Sequence, residues 1–458
     1  MKKIMMLIGA AAVWLGLFPA AVSAVAPQQP TGSDKFHKPS ELFSARADGR
    51  ALFVEHFKAI HYVNFPVTGP TRIEAAFAGE VNDFRISPMI LGIEGTQAGG
   101  TVSFTLPGPG WYVLEVNGRE KLILLADPVE TDVPRVGDAG VISVLDYVKS
   151  GSDDTLQTEA LQRALDEASR TGKTLVFPRG VYRTGTLTVG SNSRIYLAEG
   201  ALVKGSENRE DYPSDGNRPE ADHINNKANY SDNGEFMTFS RLLLVDNAEN
   251  VRIWGRGIID GSGTVIRAQG KPANLIRIRN SKDVLIEGVI LRDPAAWNTH
   301  ILHSERVTVR GCVFITRKSS LKVGTETKAG RMSDILFEDN DVVECDRGMA
   351  LYCYDGAAFE NIRFVNNRVE RNFPDNQRKA IHFQILSRSG KGHIRNVLFK
   401  DCAFDIMFPK GASMAGLDAE HCIDGVTFDG VTVAGKPVRS LSDLGMEEPR
   451  FVKNIRFK

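Results

Sequence analysis

From Val251 onward the chain repeats one short phrase. Apolar residues fall at alternate positions over four or five residues, and a residue suited to a tight turn usually follows. The phrase reads Val251–Gly255, Val284–Gly288, Val307–Gly311, Ile335–Asp339, Ile362–Asn366, Val397–Asp401, Val426–Gly430 and Ile455–Lys458. Successive starts are 33, 23, 28, 27, 35, 29 and 29 residues apart. Period two marks β-strands, and a recurrence of 20–50 residues marks a solenoid. The consensus is not leucine-dominated and no helical period accompanies it. The remaining solution is a right-handed parallel β-helix, in which stacked coils together bury a face that none could bury alone.

A second strand series precedes the first in each coil: Leu275–Ile278, His300–Leu302, Ser320–Val323, Met349–Tyr352 and Ile381–Gln384. Alternation sends Leu321, Val323, Met349, Leu351, Ile381 and Phe383 inward. It sends Lys322, Tyr352 and His382 outward, joined by His300, so these four are expected to form one column on an outer face. The adjoining turns add Glu326, Asp346, Arg347 and Asp355, with Trp297 at the edge. Cations, carboxylates and aromatic rings on one face suit sugar rings that carry carboxylates.

The first third of the chain reads differently. Between Glu41 and Ala126, short apolar runs are cut by Gly and Pro, and Asn117-Gly118 between two such runs signals a hairpin. These features predict a small β-sandwich over residues 41–127, with Pro128–Gly140 as linker and the β-helix over 138–458. Thr155–Ser169 carries apolar residues at helical spacing, with Asp153 or Asp154 placed to cap it. One amphipathic helix there would cover the first coil. Residues 25–40 are polar and Pro-rich, which predicts a mobile tether. Residues 1–24 have a basic start, an apolar run and Val22-Ser23-Ala24 at cleavage spacing. They predict a bacterial signal peptide and a secreted or periplasmic protein.

The chain has 458 residues, with Lys+Arg and Asp+Glu both at 56. A formal charge of zero provides no field for nucleic acid. No segment after the leader is long and apolar enough to span a membrane. The five cysteines lack zinc spacing, and Cys312 and Cys402 share a phase of the repeat, so buried thiols are expected. No carboxylate array suggests calcium. The reading calls for no cofactor or metal and for a monomer.

Several stretches together resemble glycoside hydrolase family 28, the polygalacturonase-like enzymes of the pectin lyase fold. They are Val141–Tyr147, Leu175–Tyr182, Ile195–Ala201, Gly255–Gly261, Leu291–Pro294, Trp297–His300, Lys322–Thr327 and Asp346–Tyr352. The last two look like a bacterial branch that also carries an N-terminal β-sandwich. The resemblance implies hydrolysis of galacturonan-type links with inversion, by one acid and one base. It also shows a departure. The family's Asn-Thr-Asp motif and following Asp-Asp pair are absent from the solenoid. Asn298-Thr299-His300 imitates the first but ends in His, and flanking motifs place about two coils fewer between Arg310 and Gly311. Such a loss leaves a solenoid foldable. Asp346 and Glu326 are then the candidate acid and base, with Lys322, Arg347, Tyr352, His382, His300, Trp297 and Asp355 binding a uronic-acid-containing polysaccharide. An inactive glycan-binding protein and a polysaccharide lyase are the alternatives.

Overall fold

The computed structural model describes residues 36–88, 91–148, 155–213, 240–270, 273–315, 319–325, 330–344, 347–369, 379–405, 410–446 and 448–458. The expected leader, Glu326, Asp346 and the expected cap residues Asp153 and Asp154 lie outside them.

The N-terminal unit is an antiparallel β-sandwich. Its hairpin joins Gly110–Val116 to Glu120–Pro128, with Leu122 opposite Leu114 and Leu125 opposite Trp111. Asn117 and Gly118 lie in the turn at φ 54° and 64°, left-handed conformations that Asn and Gly tolerate. The expected mobile tether is corrected in part. His37 donates through Nδ1 to Glu55 Oε2 at 3.0 Å, and that oxygen also accepts from Tyr62. That buried contact ties residues 36–40 down, and residues 25–35 lie outside the described residues.

The second unit is a parallel β-helix, with three sheets of 12, 10 and 8 strands among the described residues. Crossovers between parallel strands of one sheet are right-handed. The first strand series forms the first sheet in the expected register: Val251 stacks on Val284 and Val284 on Val307. Further along, Ile362, Val397, Val426 and Ile455 stack in turn. The second series forms the eight-stranded third sheet. There Ile278, Ile301, Val323, Leu351 and Phe383 make one inward file. The ten-stranded second sheet was not read from sequence. Its strands are two to five residues long, for example Ile258–Asp260 and Ile290–Arg292, too short for alternation to show.

Inside, one continuous core runs from Ile142 to Met446. Phe337, Phe364, Phe399, Phe428 and Phe457 stack ring on ring, with centroids 5.0–5.3 Å apart. At the bend from first to second sheet, buried Asn340 donates to Asn367 Oδ1 at 2.8 Å, and Asn367 donates to the Phe337 carbonyl at 2.8 Å. Cys312 and Cys402 stand in the same ladder. The Cys312 amide donates to Asn340 Oδ1, and burial pushes both thiols up to about 12. The cap helix spans Thr158–Thr171 and buries Leu161, Ala164, Leu165 and Ala168. It starts three residues later than expected, at Thr158, after Gln157, which makes no side-chain cap bond, and leaves Leu156 41% exposed.

Candidate active site on the third sheet

The third sheet presents two outward files. In one, Leu244 stands beside Arg277 and Arg277 beside His300. Pairing of Ile301 with Val323 then sets Lys322 next to His300, followed by Ala350, His382 and Ser413. Tyr352 is not in this file, which corrects the expected single column. It lies two residues along its strand, beside Gln384. Period two still gives it the same face, so the four side chains converge from two files rather than one.

They meet as a packed cluster. The Lys322 ammonium lies 3.9 Å from the centre of the Trp297 ring and 5.0 Å from that of Tyr352. Trp297 meets His300 edge to face at 4.4 Å. The Tyr352 hydroxyl is 2.6 Å from His382 Nδ1, and Tyr352 stacks on Tyr354 at 5.5 Å. Lys322 is 3% exposed and His300 1%, so these are shielded groups, not the open column expected. A desolvated ammonium between two aromatic faces gains about 2 kcal/mol from the rings. Burial, with the cations of Lys379 and Arg347 adding to it, lowers His382 to about 4. Its imidazole is therefore uncharged at neutral pH.

Backbone geometry lets Tyr352 sit there. Gly324, at φ +89°, lies against the Tyr352 carbonyl, and a Cβ at that position would stand 2.0 Å from the carbonyl oxygen. No other residue type fits that approach.

Asp355 is placed at the far end of the same strand, but both its oxygens are engaged. Arg388 donates to it through Nε at 2.9 Å and again through Nη2, and Ser389 donates at 2.7 Å. Arg388 also reaches the Thr325 carbonyl, so this ion pair fastens three successive coils. Arg347 is partly exposed at the start of the Arg347–Asp355 strand and stands beside Lys379.

Sequence reasoning missed Asn274, Arg277, Tyr354, Gln384 and Arg388. Counting back one rung from His300 reaches Arg277, a signal present in the text but unused. Tyr354 donates to Gln384, a contact that only the extension of both strands past the apolar run creates. A different buried charge cluster lies on the second sheet. Asp260 accepts from Lys204 at 2.7 Å and from Arg292 at 2.7 Å. Burial opposes its ionisation, yet the two cations win and hold it down to about 2.

No protein-family model matches the chain. Among curated proteins it is 32% identical over 204 residues to an exo-poly-α-D-galacturonosidase of Dickeya chrysanthemi, covering 40% of this chain and 31% of that one. It is 25% identical over 187 residues to a Vitis vinifera protein named "Probable polygalacturonase", covering 38% of this chain and 36% of that one. The match thus spans about a third of each relative's length. A solved hyperthermoactive exopolygalacturonase from Thermotoga maritima aligns at 18% identity and TM-score 0.41, over 67% of this chain and 88% of that one. Over that part of its length the chain is similar in sequence to proteins named for galacturonan cleavage.

Proposed function

We propose that this chain is a secreted glycoside hydrolase of the polygalacturonase type, acting on pectic or related acidic polysaccharide along the outer face of the third sheet. The observation that carries the reading is the Lys322 ammonium held between Trp297 and Tyr352. Aromatic plates offer a sugar ring a flat apolar partner, and a shielded cation offers its carboxylate a counter-charge that water screens poorly. Arg347 and Lys379 extend the positive character along the face. Asp346 and Glu326 supply the acid and base in this reading, and the residues 1–24 direct export. The sequence relatives named for galacturonan-cleaving activity support it.

The test is release of new reducing ends from polygalacturonan and rhamnogalacturonan fragments. Asp346→Asn and Glu326→Gln should each lower the rate by about 100-fold or more, the usual worth of a general acid or base. Absence of new reducing ends at high enzyme concentration sinks the hydrolase. Asp355, tied up by Arg388 and Ser389, favours a second reading, a face that binds glycan without cleaving it. Oligogalacturonide binding that Lys322→Ala abolishes, with no product formed, would establish that instead. An unsaturated, ultraviolet-absorbing product would identify a lyase.

A further inference from the structure

Asn274 opens the third-sheet strand Asn274–Arg279 and is 1% exposed. Its side chain bonds in two directions. The Trp297 backbone N–H points at Asn274 Oδ1 at 3.3 Å. The other end of the amide, Nδ2, lies 3.2 Å from His300 Nδ1. A backbone N–H only donates, so the amide end facing it must be the oxygen. That fixes the amide's orientation and makes Nδ2 the group facing His300. An amide nitrogen also only donates, so His300 Nδ1 must accept and carry no proton. A ring with a bare Nδ1 holds its proton on Nε2 and is uncharged. The neighbours agree: the file places His300 between Arg277 and Lys322, two cations beside which an imidazolium would be unfavourable.

We infer that Asn274 is a positioning residue that locks His300 as the neutral Nε2–H tautomer, an uncharged imidazole buried behind the Trp297 ring on the face that would meet a uronic-acid sugar. With the Nδ1 lone pair engaged by Asn274 and Nε2 protonated, the ring has no free lone pair for taking up a proton, so it is not the base of this site. The same amide seats the backbone of Trp297, whose ring contacts both His300 and Lys322. Asn274 therefore sets the ring stack and the imidazole's polarity together. This rests on the third-sheet face being the polysaccharide site.

The tautomer is read directly by long-range proton–nitrogen NMR of the full chain labelled at histidine nitrogens, with His300→Gln identifying the signal. The expected pattern is that of an Nε2–H ring. An Nδ1–H or doubly protonated pattern in the unaltered protein overturns the inference without any variant. Asn274→Asp keeps an acceptor for Trp297 but turns the second contact into an acceptor. It should move His300 to the Nδ1–H or charged form and weaken oligogalacturonide binding by about tenfold, with the fold checked by circular dichroism. An unchanged His300 spectrum in that variant overturns the positioning role. A changed tautomer with unchanged affinity overturns the link between the His300 proton and the polysaccharide face. If the unaltered protein binds no oligogalacturonide, the polysaccharide reading of the face fails, while the NMR pattern still decides the tautomer.

Discussion

At the scale of single residues, His382 converts burial into a pH dependence. Its ordinary value of 6.5 falls to about 4 in the fold, so the unfolded chain binds the proton more readily. Stability is then lost as the pH falls from about 6.5 towards 4, with no further loss from this group below that. His382→Gln keeps a polar partner for the Tyr352 hydroxyl but cannot titrate. The stability gap between the unaltered protein and this variant should shrink as melting is followed from pH 7 to pH 4. A gap that stays constant across that range would show that the fold leaves the proton affinity of His382 unchanged.

At the scale of elements, the ladder at the first bend has measurable worth. Asn367 accepts from both the Asn340 backbone and its side chain while donating to Phe337. Asn367→Ala strands these buried partners and should cost about 3 kcal/mol by denaturant unfolding. A loss within a few tenths of a kcal/mol would mean that the ladder relaxes around the gap. Strand elements were also where the sequence was most readable. The files Val251–Val284–Val307 and Leu321–Met349–Ile381 follow from alternation, because a one-residue slip would turn every apolar side chain outward. The second sheet escaped because most of its strands have only two or three residues, which cannot show a period. The cap helix was displaced because apolar spacing extends to Leu156 while the backbone turns helical only at Thr158. In the candidate site, alternation alone chose the face for Lys322, His300, Tyr352 and His382. It could not choose the file, because register between strands depends on loop lengths. Nor could it find Asn274, whose two partners are set by a chain path that no local pattern records.

For the whole molecule, the stack of five phenylalanines links the coils from Phe337 to Phe457. Phe399 is fully buried between Phe364 and Phe428. Phe399→Ala should cost about 3–5 kcal/mol. Coils in a solenoid touch only their neighbours, so hydrogen exchange should quicken in the strands around Ile362–Val365 and Val426–Asp429 while the strands beside the cap helix keep their protection. Uniform quickening along the chain would instead show that the β-helix opens as one block.

The register of the third sheet carries one more implication. Neighbouring rungs differ by a fixed step of about 4.8 Å, so groups on this face are graduated like marks on a ruler. Gain or loss of a coil changes the gap between two such groups by a whole graduation and never by a fraction. One graduation approaches the 5–5.5 Å that sugar-cleaving carboxylate pairs use to retain configuration, and two, at about 9.6 Å, reach the upper end of the 6.5–9.5 Å that inverting pairs span. Chemistry on this scaffold is therefore open to change by jumps, with the stereochemical outcome shifting while the solenoid around it stays whole.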